Sequence, residues 1–418
     1  MTGTPAVAWP VTDPIVVAGL GADGWDGLGG PARRAIAAAE VLLGSPRQLA
    51  LIPATESAAT RVPWPSPLVP ALPGLLNQYV GHKVCVLASG DPMFFGIGVT
   101  LTRLVGAAAL RVLPQPSSAS LACARLGWGL AETPVVSAVG RPLETVLPEL
   151  SEGRRILVLS SDERTPAQLA ELLSRNGFGA SALTVLEQLG GPGEHLVSGT
   201  AANWQRPPGD PLNIVAVDCV ASPEFPRLTR VPGLPDAVYT GDGQLTKYEI
   251  RTLTIAALAP APGELLWDVG GGSGTIAIEW CRTHSTCRAV TFEKVETRRK
   301  QITENATALG VPGIELHGPA PESFAGLPFP SAIFIGGGLT HPGLFDACWQ
   351  HLPAGGRLVA NAVTAESEAL LTTLRARYGG DLRRFQIHRV EPLGGFTAWR
   401  PQLPVTQWVV TKPLDPAP

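Results

Sequence analysis

The sequence predicts an α/β protein built as two successive domains. Three observations carry that expectation. Short apolar runs alternate with helix-like stretches along almost the whole chain. Two strand ends run into glycine turns of different pattern, Gly19-Leu20-Gly21 and Gly270 to Gly274. Between them, residues 222–235 carry four prolines, the composition of a linker. A length of 418 residues accommodates two or three domains.

Composition narrows the function classes. With 45% hydrophobic and 16% charged residues, each domain can bury a core. The net charge of −3 leaves no footprint for nucleic acid. No run of 18 apolar residues occurs, and residues 1–13 lack the basic and apolar regions of a secretory signal, so no membrane partner and a cytoplasmic location are expected. The six cysteines form no C-x-x-C and sit mostly in apolar runs, as reduced, buried side chains do. The seven histidines show no zinc-type spacing, so no metal is expected.

In the first domain, over roughly 14–221, the strand Pro14–Leu20 ends in Gly19-Leu20-Gly21. The stretch to Gly24 matches G-x-G-x-x-G in form, but the next helix begins only at Pro31, too late for its N-terminus to meet a pyrophosphate. A helix Pro31–Glu40 leads to a strand Val41–Gly44. The strand Lys83–Ala88 ends in Ser89-Gly90-Asp91-Pro92, before a helix from Ile97 to Val105. A strand Leu110–Leu113 precedes Pro116-Ser117-Ser118-Ala119-Ser120 and another helix. Strands at Val135–Ala138, Arg155–Ser160, Ala182–Leu186 and Pro211–Val217, with a helix Pro166–Asn176, complete the domain.

The second domain, over 236–412, is organised around Glu264 to Trp280. Leu265-Leu266-Trp267 reads as a buried strand, Gly270 to Gly274 as the turn, and Thr275 onward as a helix. This arrangement presents backbone N–H groups to a ligand. Thr275 stands where a dinucleotide fingerprint wants Gly or Ala. The strand Arg288–Phe292 ends in Glu293, an acid placed to accept both ribose hydroxyls of a nucleoside. Further strands are expected at Ile314–His317, Ala332–Ile335 and Gly356–Val363. After a helix from Thr364 to Tyr378, Arg384–Val390 and Gln407–Thr411 are expected as an antiparallel closing pair.

These residues carry family resemblances. Asp268-x-Gly270-x-Gly272-x-Gly274 with Glu293 resembles the Rossmann-like methyltransferases that use S-adenosylmethionine (SAM). Gly19-Leu20-Gly21, Gly90-Asp91-Pro92 and Pro116 to Ser120, with Leu212-Asn213, resemble the tetrapyrrole methylases, a second SAM-binding fold of two α/β lobes. Gly243-Gln244-Leu245-Thr246-Lys247-Tyr248-Glu249-Ile250-Arg251, the triplet Gly336-Gly337-Gly338, Gly394-Gly395-Phe396-Thr397 and Pro404 to Trp408 are similar to the decarboxylating precorrin methyltransferases of cobalamin biosynthesis. The order of the halves resembles the fused C(5,15)-methyltransferases. That resemblance implies methylation of precorrin-6B at carbons 5 and 15, loss of the ring C acetate carboxyl, the product precorrin-8, two SAM sites and a homo-oligomer.

Residue by residue, the resemblance implies cofactor contacts at Leu20, Gly90, Asp91, Met93, Ser118 and Ala119 in the first domain, with Asp91 also catalytic. In the second it implies Thr246, Gly270, Gly271, Gly272, Ser273, Gly274, Glu293 and Ala320. Gly336, Gly337 and Gly338 would let a ligand approach backbone. Val139-Gly140-Arg141 stands where relatives often carry His-Gly-Arg. Methyl transfer to an enamine-like carbon needs alignment and exclusion of water rather than a nucleophile–base pair. The substrate's carboxylates call for cations, and Lys247, Arg251 and Arg282 are candidates that could equally be solvated helix charges. His341 is a candidate proton donor for the decarboxylation, or a structural histidine. A nicotinamide-dependent dehydrogenase, a SAM-sensing regulator, and a methyltransferase for another small molecule with only its second domain active are the competing readings.

Overall fold

The computed structural model describes residues 7–241, 243 and 245–414. Gln244 of the Gly243–Arg251 motif therefore lies outside the described residues. The chain divides into two compact units, 1–143 with 152–225, and 144–151 with 226–418.

The first unit holds two sheets. Strands β1 (Ile15–Leu20), β2 (Val41–Gly44), β3 (Thr60–Pro63), β4 (Val84–Ser89) and β5 (Leu110–Leu113) form a parallel sheet of order β3-β2-β4-β1-β5. The near-continuous apolar character of β1 and β4 follows from burial on both faces. Helices α1 (Gly30–Ala37), α2 (Pro46–Ala50), α3 (Leu68–Gln78) and α4 (Ile97–Val105) connect these strands. Helix α5 (Ser118–Leu126) follows β5, its N-terminus capped by the Ser117 side chain. The second sheet comprises β6 (Val135–Ser137), β7 (Arg155–Leu159), β8 (Ala182–Glu187), β9 (His195–Thr200) and β10 (Asn213–Asp218). Its order is β6-β7-β10-β8-β9, antiparallel apart from β6 with β7, and α6 (Thr165–Arg175) lies between β7 and β8.

The second unit is one seven-stranded sheet of order β13-β12-β11-β14-β15-β19-β16. Its parallel part is β11 (Leu265–Val269), β12 (Arg288–Phe292), β13 (Glu315–His317), β14 (Ala332–Ile335) and β15 (Arg357–Ala362). Helices α7 (Tyr248–Leu258), α8 (Thr275–Thr283), α9 (Glu296–Ala308), α10 (Leu344–His351) and α11 (Ala365–Tyr378) cover its faces. The closing pair differs from expectation. Strand β16 (Asp381–Phe385) pairs antiparallel with β19 (Val405–Thr411), but the chain leaves the sheet at Gln386. It then forms a separate hairpin of β17 (His388–Leu393) and β18 (Phe396–Pro401). The expected strand Arg384–Val390 is thus the ends of two strands. Gly394-Gly395 makes the hairpin turn, which a continuous strand would not require.

The segment expected as a linker is not free chain. The Ser222 N–H donates to Gly177 O at 2.7 Å within the first unit. Within the second, Gly233 and Leu234 donate their N–H groups to the Glu279 carboxylate at 2.6 and 3.0 Å. Glu279 also accepts from Tyr239 Oη at 3.1 Å and from Arg251 Nε at 2.5 Å. The segment therefore folds back onto α8 before the chain enters α7.

Candidate active sites

In the second unit the strand order reverses between β11 and β14, and a cavity of about 1030 Å³ opens at the carboxyl ends of the strands there. Open α/β sheets bind their ligands at this position. Gly270 and Gly272 sit at φ +78° and +57°, in the left-handed region. A Cβ on Gly270 would lie 2.7 Å from Gly337 N, so the glycine loop after β11 and the glycine triplet after β14 touch backbone to backbone. Glu293, at the end of β12, is buried, and its carboxylate accepts the Gly272 and Val295 N–H groups at 2.9 Å each. Those two bonds fix the carboxylate at the cavity wall with lone pairs left for two more donors.

The cavity brings together most of the residues expected there. Thr246, Lys247, Gly270, Gly271, Gly272, Ser273, Glu293, Ala320, Gly336, Gly337, Gly338 and His341 all line it. Gly274 stands back from the wall as the N-cap of α8. Arg251 and Arg282 correct the expectation of substrate-holding cations, because both are buried side chains outside the cavity wall. The Arg251 guanidinium meets Glu279, the Thr246 carbonyl at 2.7 Å and the Leu234 carbonyl. Arg282 donates to the carbonyls of Leu309, of Leu228 at 2.8 Å and of Thr229 at 3.4 Å, and burial pushes its pKa down to about 10. The cations on the wall are Lys247, Lys294, Arg298 and Arg389. Arg389 reaches it from β17, held by both Glu249 carboxylate oxygens at 2.7 and 3.0 Å. Nothing in the sequence marks Arg389, because its place depends on the hairpin.

Asp268 is a further residue missed, although it is the first acid of the glycine pattern. It lines the cavity at 1% exposure, and neither carboxylate oxygen has a hydrogen-bond partner among the described residues. Burial pushes its pKa up to about 7. The Ala277 N–H, short of hydrogen-bond geometry, opposes that rise, and the Glu293 charge adds to it.

The first unit has its own cavity, of about 120 Å³, where the ends of β1 and β4 and the start of α5 converge. Gly90 N–H donates to Leu20 O at 3.0 Å, and Gln115 N–H donates to Gly90 O at 3.3 Å, so three strand ends are stitched together. Leu20, Gly90, Asp91 and Ser118 line the cavity as expected. Met93 and Ala119 do not: Met93 is exposed on the loop and Ala119 is fully buried on the inner face of α5. Arg47, from α2, lies on the wall and donates to Ser89 Oγ at 3.0 Å, with its pKa lowered by burial. Its volume is below the roughly 300 Å³ at which small-molecule pockets usually begin.

Comparison with known proteins assigns a separate family to each half, the first of them running through residues 144–151. Residues 14–204 match the family model for tetrapyrrole (corrin/porphyrin) methylases, and residues 237–412 match that for the precorrin methyltransferase domain. A precorrin-6Y C(5,15)-methyltransferase [decarboxylating] from Mycobacterium tuberculosis (strain CDC 1551 / Oshkosh) is 50% identical over 398 residues, covering 95% of this chain and 100% of the relative. The chain belongs to the precorrin-6Y C(5,15)-methyltransferase (decarboxylating) family. A second family member, from a Sinorhizobium species, is 48% identical over 98% of both chains. A shorter relative from Pyrobaculum aerophilum, named a probable cobalt-precorrin-6B C(15)-methyltransferase (decarboxylating), is 33% identical over 42% of this chain and 93% of its own. For a member of this family the second cavity fits a nucleoside methyl donor: a left-handed glycine loop leaves room against backbone, Glu293 keeps free lone pairs, and the buried Asp268 carboxylate has no hydrogen-bond partner among the described residues. No helix among the described residues is long and apolar enough to cross a membrane.

The raised pKa of Asp268 sets a pH dependence. A carboxyl group with a folded-state pKa above its unfolded value contributes stability that is complete below the unfolded pKa of 3.8 and lost as pH rises to about 7. Asp268→Asn removes that loss. Melting of the ligand-free protein should therefore shift upward at pH 8, by roughly 2–4 °C for each kcal/mol regained, with a much smaller shift at pH 5. An unchanged or lower melting temperature at pH 8 would mean that the carboxylate is partnered.

Proposed function

We propose that this chain methylates precorrin-6B at carbons 5 and 15 and removes the ring C acetate carboxyl, giving precorrin-8. SAM serves as methyl donor in both units. The carbon-5 reaction belongs to 14–221, and the carbon-15 methylation and decarboxylation to 236–412. The observation that carries the reading is the cavity at the switch point, with Glu293 and the two touching glycine loops on its wall, in a chain that spans its fused relatives end to end.

When bound, SAM supplies an electrophilic methyl group on a sulfonium. The chain's own residues do the rest by position. Glu293 accepts the ribose hydroxyls, because its carboxylate is already held by two backbone N–H groups. The glycine loops bring acceptor carbon and methyl group together with no side chain between them. Lys247, Lys294, Arg298 and Arg389 hold the substrate's side-chain carboxylates. His341, its backbone anchored to Gly338 O at 2.8 Å, supplies the proton to the methylene carbon after carbon dioxide leaves. In the first unit Asp91 sits where β4 ends, its Oδ1 accepting the Met93 N–H at 2.8 Å and its other oxygen open to a ligand donor.

The small first cavity favours a second reading, in which only the second unit methylates. Product masses separate the two. Incubation of the full chain with precorrin-6B and SAM should give two methyl gains and one carboxyl loss, and Asp91→Ala should give one methyl gain with the same carboxyl loss. A single methyl gain from the unaltered protein supports the second reading; no product with either mass rejects both.

Cofactor stoichiometry is an independent test. Calorimetry should find two SAM sites per chain. Glu293→Ala should weaken one of them by roughly 1.5–3 kcal/mol, the usual contribution of hydrogen bonds to a charged group. One site per chain, or an unaffected Glu293→Ala protein, would contradict the assignment.

A homo-oligomer is part of the proposal. The β17–β18 hairpin exposes Leu393, Phe396 and Trp399, the last two at 83% and 69%, and an isolated two-stranded ribbon is marginal in water. Light scattering should report more than one chain per particle, and Phe396→Glu should lower that number. A monomeric native protein would remove this part of the reading.

A further inference from the structure

Behind the wall of the large cavity lies a polar network that the preceding reading does not use. Thr254 on α7 is fully buried, and its hydroxyl donates to the Ile250 carbonyl at 2.7 Å. With its single hydrogen spent, the Thr254 oxygen can only accept. Asn361 Nδ2 donates to it at 2.9 Å and Gln407 Nε2 at 3.3 Å. Gln407 Nε2 also donates to Asn361 Oδ1 at 3.1 Å. Asn361 and Gln407 are register partners on β15 and β19, so the sheet holds the pair in place. Gln407 Oε1 is left buried without a partner among the described residues. Turning both amides over would instead bury the Gln407 NH2, two donors, with no acceptor, which is the costlier arrangement. The orientation is therefore fixed. The Asn361 carbonyl is committed, one of its N–H groups is committed, and the other N–H is not. Asn361 lines the cavity.

This donor lies at the end of β15, while Glu293 and the glycine loop lie at the ends of β12 and β11. Two strand spacings, about 10 Å, separate β15 from β11 across the sheet. The nucleoside side of the cavity is thus one half and Asn361 belongs to the other. Resting on the reading above, we propose that the free N–H of Asn361 holds the substrate acetate carboxylate that the second unit removes.

A neutral donor suits that carboxylate. As the bond between the acetate methylene and the carboxyl carbon breaks, the electron pair passes into the conjugated macrocycle and carbon dioxide leaves uncharged. A proton, ultimately from water, ends on the methylene carbon. A guanidinium on the departing group would stabilise the charged ground state more than the transition state. An amide N–H orients the group with a weaker hold on its charge. The cavity's lysines and arginines hold the carboxylates that stay. Gln407 and Thr254 are positioning residues, acting only by fixing the Asn361 amide.

The test uses the full chain with precorrin-6B and SAM, reading carbon dioxide release, product mass and SAM affinity separately. Asn361→Asp replaces the donor by a charge that repels the carboxylate. Carbon dioxide release should fall by roughly 10–100-fold with a raised KM for precorrin-6B, and SAM affinity should stay within about twofold. Asn361→Ser, which keeps a donor, should recover part of the loss. Gln407→Glu, which removes the donors that fix the amide, should raise the same KM at unchanged SAM affinity. If Asn361→Asp does not fold, Asn361→Ser and Asn361→Ala are compared instead, and the serine protein should be the faster. Normal carbon dioxide release and KM in the folded variants, or parallel losses of SAM affinity and release, overturn the inference. Failure of the unaltered protein to act on precorrin-6B overturns the reading beneath it instead.

Discussion

The second unit depends on one buried ion pair, between Arg251 and Glu279. Glu279 sits on α8, immediately behind the glycine loop, and collects two backbone N–H groups, a tyrosine hydroxyl and a guanidinium on one carboxylate. Arg251 also donates to the Thr246 and Leu234 carbonyls and lies 3.3 Å from the Asp236 carboxylate. Burial and the adjacent Glu279 charge hold the Tyr239 hydroxyl well above its usual pKa, so it stays a donor. A fully buried charge pair is tolerable only when its donors and acceptors are satisfied in this way. The consequence is geometric. Gly233, Leu234, Tyr239 and Arg251 are pinned to α8, and the Arg251 bond to the Thr246 carbonyl brings Thr246 and Lys247 to the cavity wall.

The second constraint is the contact between the two glycine loops. Gly270 and Gly337 approach so closely that no side chain fits at Gly270, and the Gly336 N–H donates to Val269 O at 2.9 Å. This joins the loop after β11 to the loop after β14 on the cavity wall. Beyond it the walls change character. Glu293 and Asp268 are buried acids near β11 and β12, whereas lysine and arginine come from the residue preceding α7, from the β12–α9 region and from the hairpin. A cavity that carries both buried acids and several cations on its wall has charge to complement ligand groups of either sign.

The first unit solves a similar problem with other means. Its strand ends are stitched by backbone hydrogen bonds through Gly90, at φ +55°, so that Asp91 and Ser118 face one small cavity. A half-buried Arg47 on that wall is the counterpart of the cations in the second unit, with its nearest polar partner a neutral serine hydroxyl.

Periodicity and glycine placement by themselves determined the α/β class, the parallel strands, the two glycine signatures and Glu293. The reason is that each is a local property: an apolar run, a turn that needs positive φ, an acid at a strand end. The departures came where a residue's role depends on distant chain. Arg251 and Arg282 read as cations for the substrate's carboxylates or as solvated helix charges because nothing local shows that Glu279 and several carbonyls converge on them. The strand Arg384–Val390 read as continuous because its break is set by which edge each part pairs with, β19 for one and β18 for the other. Met93 and Ala119 sit within correct motifs but point elsewhere, one to the surface and one into the core. Arg389 and Asn361 carry no motif. The first gains its position from the hairpin and its bond to Glu249, the second from its register with Gln407. Local sequence chose the elements and the glycine sites. Which side chains face the cavity was decided by tertiary pairing, because hydrogen-bond partners far apart in the chain determine where each one points.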